Sequence, residues 1–390
     1  MGNPNPKKQK ISKIIRKRKK EKCFFRRICK VGIKMLTLSF FITENVLLPT
    51  MWRKNMTIRE NLEEWEVQYL SPYACLSKNS KGRLRPEEPC DIRPVFQRDR
   101  DRILHSKSFR RLKDKTQVFL TPDGDHYRTR LTHTLEVSQN ARTIAKALSL
   151  NEDLVEAIAL GHDLGHTPFG HAGERALNRV APQGFEHHKQ SVRTVDVLEK
   201  RGQGLNLTYE VRDGILNHQT SGMPSTLEGK IVRMSDKIAY IHHDMDDAIR
   251  AGILKDSDVP KSIGAVIGYT LPERLDSFIH DIITTSKGKN DVMMSEPVAA
   301  AMKEMRQFMF EKVYQNPVAK GEEGKAEVLI EALYDYYLHH FDKIPRETAD
   351  LMDRDGSSKE QIVCDYVGAM TDRFAIGMYE NLFIPKTWHG

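Results

Sequence analysis

The chain has 390 residues, of which 39% are hydrophobic and 29% are charged, and its formal net charge is +8. This composition is typical of soluble proteins with enough apolar material for a large core. It excludes a collagen-like, a disulfide-rich or a wholly disordered chain. No run of about 18 uncharged apolar residues occurs, so we expect no transmembrane segment.

The cysteines indicate a reducing compartment. Their number is odd, they are scattered, and no two form a CxxC pair, which argues against a disulfide framework and against a cysteine-type zinc site. We therefore expect reduced thiols and a cytoplasmic protein. The cysteines are Cys23, Cys29, Cys75, Cys90 and Cys364.

The positive charge is concentrated in residues 1–50, which hold 14 Lys and Arg against 2 Asp and Glu. The other residues hold 47 basic and 51 acidic side chains, so the body offers no overall electrostatic argument for nucleic-acid binding. We interpret residues 1–50 as a basic extension that is disordered or is translated from upstream of the true start, Met51 or Met56, because the composition changes abruptly there. A targeting or membrane-surface segment and a nucleic-acid-binding tail are the alternatives.

The body begins with two predicted helices and a predicted hairpin. Residues 57–70 predict a helix in which Thr57 and Glu60 resemble a capping box. A loop rich in Pro, Gly and Ser follows, and residues 98–113 predict a basic helix. Residues 117–130, QVFLTPDGDHYRTR, predict two short strands around a Pro-Asp-Gly turn.

From Leu131 onward, apolar residues recur at helical spacing. One apolar face is predicted to contain Leu135, Ala141, Ile144, Ala145 and Leu148. The stripe of a long helix downstream contains Ile231, Met234, Ile238, Ile241, Met245 and Ile249. Further helices are predicted at residues 189–201, 208–218, 265–285, 295–315, 325–341 and 357–381.

Strand-type runs are scarce, so we predict a mainly α fold. Its segments are an N-terminal helical and hairpin segment at residues 51–125, a central helical core at 126–260, and a C-terminal helical subdomain at 261–390.

The densest group of reactive side chains lies in the segment GHDLGHTPFGHAGE. Imidazole nitrogens and carboxylates together are suitable ligands for a divalent transition metal. Adjacent His162 and Asp163 point in different directions on a regular helix, so both can reach one ion only near a helix end, where the flanking glycines loosen the backbone. The segment contains His162, Asp163, His166, His171 and Glu174.

Further ligands must come from elsewhere in the chain. His133 lies at the start of a predicted helix, and Asp236 lies on the long helix downstream. With His162 and Asp163 they would close a mixed nitrogen and oxygen site that keeps positions open for water and substrate. Taken alone, His133 is equally well a core or surface histidine, and Asp236 is more readily an ordinary polar residue.

Other charged groups are open to two interpretations. For His242 and His243, beside Asp244, we favour a structural role or a place at the rim of the substrate site over a second metal. A group of arginines either binds phosphates of an activating nucleotide or of DNA, or forms a solvated face paired with local acids. These are Arg98, Arg100, Arg102, Arg110 and Arg111.

The order of the motifs resembles the HD-domain metal phosphohydrolases. Within them it is most similar to the dGTP triphosphohydrolase-like family, the bacterial branch related to the mammalian SAM-and-HD-domain dNTPase. The resemblance covers residues 57–390 and implies an HD-domain helical bundle at the predicted core. It rests on FRRLKDKTQV, RTRLTHTLEVSQ, GHDLGHTPFGHAGE, GFEHHKQS, RMSDKIAYIHHDMDDA and TDRFAIGMYENLF.

The resemblance implies a role for each matching residue. His188 occupies a position that is commonly Asn in relatives, so His187 and His188 remain alternatives for the acid or base. The implied metal ligands are His133, His162, Asp163 and Asp236. The implied catalytic groups are His187, His166, His171, Glu174 and Glu186. The implied substrate-binding groups are Arg130, Lys237, Tyr240 and Gln117.

The resemblance also implies hydrolysis of deoxynucleoside triphosphates to deoxynucleoside and tripolyphosphate. It implies one divalent ion (Mg²⁺, Mn²⁺, Fe²⁺ or Ni²⁺), a homo-oligomer and a dNTP activator. The residues alone support only a metal phosphohydrolase. The alternatives are an HD-domain enzyme for another nucleotide, such as a monophosphate or signalling nucleotide, and a regulator that senses nucleotides or binds single-stranded nucleic acid.

Overall fold

The structure, a computed structural model, describes residues 56–117, 128–315 and 321–386. Within these ranges the chain folds into helices joined by loops and forms no β-strand, which confirms the predicted mainly α fold. None of the helices in these ranges is both long and apolar enough to cross a membrane.

Two predictions fall on parts of the chain outside the described residues. The basic extension at residues 1–50 is one of them, and most of the hairpin predicted at 117–130 is the other. An isolated antiparallel bridge joins Thr116 to Thr129, which are described residues on either side of the predicted turn.

The helices are named here in chain order. The N-terminal helices are α1 (Ile58–Tyr69), α2 (Val95–Leu104) and α3 (Lys107–Arg111). The central helices are α4 (Arg130–Ala147), α5 (Glu152–Gly161), α6 (Gly170–Val180), α7 (His187–Arg193), α8 (Tyr209–Leu216) and α9 (Leu227–Arg250). The C-terminal helices are α10 (Lys261–Ile267), α11 (Leu271–Ser286), α12 (Glu296–Met309), α13 (Glu323–His339), α14 (Leu351–Asp355), α15 (Lys359–Gly368) and α16 (Asp372–Phe383).

Capping side chains set several helix boundaries. The capping box of α1 is confirmed, because Thr57 and Glu60 each accept a hydrogen bond from the other's backbone N–H. The basic helix predicted over residues 98–113 is interrupted, since Ser106 accepts a hydrogen bond from the Phe109 N–H and begins α3. Thr371 likewise begins α16 and divides the long C-terminal helix that the sequence predicted.

The predicted face of α4 is partly wrong. Ala141, Ile144 and Ala145 are fully buried, whereas Leu135 is 48% exposed. Leu135 precedes Ile144 by nine residues, which is 2.5 helical turns, so the two side chains lie on opposite sides of the helix. The predicted apolar stripe of α9 is confirmed. Ile231, Ile238, Ile241 and Met245 are buried, and Met234 and Ile249 are partly buried.

Two hydrophobic cores organise the described residues. The first draws on residues from Phe96 to Val313, and α4 packs there against both α5 and α9. The second core joins Ala176 and Leu177 of α6 to the C-terminal helices, for example to Leu333 of α13. The segment that leads into α6 therefore lies where the two cores meet. The domain boundaries given above stay predictions.

Lys115 and Asp372 connect the second core to the segment that leads into α6. The buried Lys115 ammonium donates to the carbonyl of His166 and to that of Gly368, 3.0 Å away. Burial, reinforced by the positive charge of Arg111, lowers the pKa of Lys115 to about 7. The Asp372 carboxylate accepts from the N–H groups of Thr116 at 2.8 Å and of Phe169 at 3.0 Å.

We expect Asp372→Ala to loosen the segment around Phe169. The variant leaves the N–H groups of Thr116 and Phe169 without an acceptor, which costs about 1–3 kcal/mol for each buried donor. Urea denaturation should show a lower free energy of unfolding, and the Phe169 amide should exchange hydrogen faster. Arg373→Ala is the control, because Arg373 is exposed and adjacent in the chain. Equal stability and equal exchange in the two variants would contradict this role of Asp372.

Candidate metal and catalytic site

The helix end predicted around His162 and Asp163 is present, because α5 ends at Gly161. Ser191 of α7 anchors the turn that follows. Its hydroxyl donates to the His162 carbonyl at 2.7 Å and accepts from the Gly165 N–H at 2.9 Å. A Cβ atom at position 165 would lie 2.1 Å from the Ser191 nitrogen, so the close approach of the two backbones requires glycine here.

The four predicted metal ligands converge from α4, α9 and the end of α5. The His133 Nε2 atom lies 3.1 Å from Asp236 Oδ1, and the His162 Nε2 atom lies 3.6 Å from the same oxygen. The Asp163 carboxylate lies 3.4 Å from His162 Nε2 and 4.0 Å from His133 Nε2. His133, His162 and Asp163 offer possible ligand atoms within 4.8 Å of one another, and Asp236 forms a second such group with His162 and His218.

The protonation of His162 fits a cation at this position. Its Nδ1 atom lies 2.7 Å from the Ala159 carbonyl and donates to it, which leaves the lone pair on Nε2. That Nε2 atom is buried and has no hydrogen-bond partner. Burial alone would lower the pKa of His162, but the charges of Asp163 and Asp236 outweigh it and raise this pKa to about 9. The two carboxylates thus favour a positive charge beside Nε2, which a proton or a metal ion supplies.

His187 and Glu174 form a second pair beside this cluster. The Glu174 carboxylate accepts from the His187 backbone N–H at 2.8 Å and lies 3.0 Å from its Nδ1 atom. The ring of His187 stacks on that of His166, with centroids 4.1 Å apart. Burial raises the pKa of Glu174, but the hydrogen bonds from His171 and His187 outweigh it and hold this pKa below its ordinary value.

The two neighbouring histidines of α7 point to different places. His187 lines the cavity beside the ligand cluster, whereas His188 is not among the residues that line it. The Nε2 atom of His188 lies 3.0 Å from the Gln219 amide and 3.1 Å from Glu186. Glu186 also pairs with the exposed Lys189 and does not line the cavity. The geometry therefore favours His187 over His188 as the acid or base.

His218 is a site residue that the sequence analysis missed. Its Nδ1 atom lies 2.7 Å from the Ile215 carbonyl, so its Nε2 lone pair faces His187 Nε2 at 3.3 Å. It also groups with His162 and Asp236 as a possible ligand. Burial, with the charges of His162 and His187, lowers the pKa of His218 to about 3.

The predicted substrate-binding residues line a cavity of about 290 Å³. Arg130 is almost fully buried and donates to Asp163 at 2.8 Å. The side-chain oxygen of Gln117 is buried and has no hydrogen-bond partner among the described residues. Lys237 forms no ion pair with any described residue, and burial together with the charge of Arg233 lowers its pKa. These groups are therefore available to a ligand.

A second cavity of about 550 Å³ adjoins the first. The two share Lys237, Tyr240, Ile241 and Arg306, and the second is lined mainly by methionines and aromatic rings. Tyr240 stacks on Tyr314 with centroids 5.6 Å apart, and burial raises the pKa of Tyr240. Arg306, like Lys303 beside it, forms no ion pair with the described residues, and the sequence analysis missed both.

Most of the arginines on α2 are paired with local acids. Arg98 and Arg102 both contact Glu87, and Arg100 contacts Asp153 at 3.0 Å. The paired interpretation therefore holds for these three arginines. Arg110 and Arg111 form no ion pair with the described part of the chain.

Comparison with known proteins agrees with these motifs. The HD domain family model matches residues 130–241, and the phosphohydrolase-associated domain model matches residues 292–381. A crystal structure of a hypothetical protein from Aquifex aeolicus has a TM-score of 0.43 and 20% identity, with coverage of 74% of this chain and 68% of that one.

Several curated relatives are named deoxyguanosinetriphosphate triphosphohydrolase-like protein. The one from Caldanaerobacter subterraneus subsp. tengcongensis is 56% identical over 333 residues, which cover 85% of this chain and 98% of the relative. Those from Desulfatibacillum aliphaticivorans and Clostridium perfringens strain 13 are both 48% identical, and each match covers 85% of this chain and 99% of the relative. The chain therefore belongs to the family of HD-domain phosphohydrolases that contains the deoxyguanosinetriphosphate triphosphohydrolase-like proteins.

Proposed function

We propose that the protein hydrolyses deoxynucleoside triphosphates, dGTP or dNTPs generally, to deoxynucleoside and tripolyphosphate, and that one divalent ion is required. The observation that carries this proposal is the shared cavity. It is lined by His133, Asp163 and Asp236, against which His162 lies, and also by His187 and several cations. The printed names of the relatives support the choice of substrate.

The charges in the cavity suit a triphosphate. A triphosphate carries about four negative charges, which a bound cation and basic side chains must offset. Lys237 and Arg306 line both cavities and have no acidic partner among the described residues. Arg130 supplies a third cation, although part of its charge is offset by Asp163 at 2.8 Å. We assign these three side chains to the phosphates.

The adjoining cavity suits a nucleoside. Ligand pockets have volumes of about 300–1,000 Å³ and are lined mainly by apolar and aromatic groups with a few polar ones. The cavity of about 550 Å³ fits this description, and Tyr240 and Tyr314 stand at its boundary with the polar cavity. A dNTP would therefore place its sugar and base here and its phosphates beside the ligand cluster.

The residues His133, His162, Asp163 and Asp236 would hold the divalent ion. When bound, such an ion polarises a phosphoryl oxygen and lowers the pKa of water. Arg130 then has two tasks, since it fixes the Asp163 carboxylate and faces the phosphates.

His187 is positioned for proton transfer. Glu174 is placed to hold the proton of His187 on Nδ1, which leaves the Nε2 atom, 3.3 Å from His218 Nε2, for proton transfer. The reaction consumes one water, forms a bond from the water oxygen to the α-phosphorus and breaks the bond from that phosphorus to the 5′-oxygen. His187 can protonate the departing 5′-oxygen or take the proton of the water, and Glu174 stabilises the imidazolium in either case.

We expect the purified protein to release deoxynucleoside and intact tripolyphosphate from dNTPs. Each dNTP is incubated singly and in a mixture with Mn²⁺ or Mg²⁺, and the products are separated by anion-exchange chromatography. Chelation should abolish turnover and added Mn²⁺ should restore it.

Asp163→Ala is the blank, because we expect it to lose metal and activity together. Orthophosphate or pyrophosphate as the product would point to another HD-domain reaction. Absence of turnover with every dNTP, alone and mixed, would contradict the proposed substrate class.

We expect His187→Gln to lower kcat by about 10²–10⁴-fold, because that is the usual contribution of general acid or base catalysis. The variant should still bind Mn²⁺, since the metal is assigned to other residues. His188→Gln is the matched control on the same helix and should keep most of the turnover. A fully active His187→Gln together with an inactive His188→Gln would reverse the assignment.

A further inference from the structure

We propose that His243 and Glu136 are positioning residues that fix the ring and the tautomer of His133 so that its Nε2 atom can bind the metal ion. This inference rests on the metal-dependent function proposed above. It concerns two residues outside the set of possible ligand atoms, and its test is a binding measurement that does not depend on turnover.

The three side chains form a continuous line from the cavity to the surface. The Nδ1 atom of His133 lies 3.2 Å from the Nδ1 atom of His243, and the two rings meet edge to face at 87°. The Nε2 atom of His243 contacts Glu136 Oε2 directly. Both histidines are almost fully buried, whereas the Glu136 side chain is about 41% exposed.

Helix geometry explains why the line forms. Glu136 follows His133 by three residues on α4, so the two side chains lie on the same side of that helix. His243 follows Asp236 by seven residues on α9, about two turns further along the same side. The helix pair that brings His133 to Asp236 thus also brings His243 to Glu136.

The line allows one arrangement of protons when His133 binds an ion. A metal ligand at Nε2 must carry its ring proton on Nδ1, and this N–H needs an acceptor because the group is buried. His243 Nδ1 accepts only if the proton of His243 lies on Nε2. The Glu136 carboxylate favours that position, because it is an acceptor in contact with Nε2.

Neighbouring charges hold the Glu136 carboxylate in place. Arg128 approaches Glu136 Oε2 at 3.4 Å and is itself held by Asp246 at 2.6 Å and by Asp247 at 3.1 Å. Arg128 therefore keeps its place through two other carboxylates when Glu136 is replaced.

If the proton of His133 lay on Nε2 instead of Nδ1, it would prevent Nε2 from binding the ion. Without an acceptor at Nδ1, the proton of His133 moves to Nε2, where Asp236 Oδ1 lies 3.1 Å away and accepts it. The ion must then displace this proton and leave a buried nitrogen without a partner. Loss of such outer partners of a ligating histidine lowers metal affinity by about 10–100-fold.

The test measures Mn²⁺ binding to the metal-free full-length protein, with the free ion followed by electron paramagnetic resonance. We expect His243→Leu to lower the affinity by about 10–100-fold. His243→Asn keeps an acceptor oxygen near the former Nδ1 position and should recover most of that loss. His242→Leu is the matched control, because His242 precedes His243 on α9 and its ring is 5.9 Å from that of His243, with no contact to His133.

Circular dichroism of each variant checks that the fold is kept. If His243→Leu does not fold, Glu136→Ala replaces it, and we expect a smaller fall in affinity in the same direction. Wild-type affinity in the folded variants, or an equal fall in His242→Leu, would overturn the inference. A wild-type protein that binds no Mn²⁺ would instead overturn the metal requirement of the proposed function.

Discussion

The burial of the Asp163 carboxylate is the constraint on which the rest of the site depends. A buried charge costs several kcal/mol unless other charges and hydrogen bonds compensate it. Asp163 is 4% exposed and has Arg130 at 2.8 Å. His162 and His166 both lie 3.4 Å away. Burial raises the pKa of Asp163, but His162 and Arg130 outweigh it and hold this pKa below its ordinary value. The start of α4, which carries Arg130, must therefore pack at the end of α5, and α9 adds a second carboxylate there.

The C-terminal helices hold the segment from His166 to Glu174 in place, although they contribute none of the metal ligands we propose. Phe169 and Gly170 adopt left-handed backbone conformations, with φ of 60° and 54°. Such a conformation is unfavourable for Phe169 and persists only where its surroundings enforce it. Asp372 accepts from the Phe169 N–H, and Lys115 donates to the carbonyl of His166 in the same segment. Because α6 also packs in the second core, removal of that core would release both Glu174 and the turn that precedes it.

Local sequence signals predicted the parts of the site that lie close together in the chain. The density of histidines marked the turn after α5, and helix spacing placed Asp236 on a long helix. The family resemblance then assigned residues of both segments to one metal site. His218 carries no comparable signal, because only the packing of α8 against α5 and α7 brings it to the cavity. Arg306 was missed for the same reason. The breaks before α3 and α16 were missed because Ser and Thr occur throughout helices and become caps only where the chain turns.

A carboxylate is positioned to orient each of two histidines in the site, His187 by direct contact and His133 through the ring of His243. His187 contacts the Glu174 carboxylate directly, so its Nδ1 atom meets a full negative charge. His133 reaches the Glu136 carboxylate only through the ring of His243, so its Nδ1–H meets a neutral acceptor. The His243 imidazole therefore orients the ring of His133 while it keeps the full charge of Glu136 out of contact with that ring. A metal ligand needs a neutral ring with a free Nε2 lone pair, so the indirect arrangement suits the role we propose for His133 and the direct one suits the role we propose for His187.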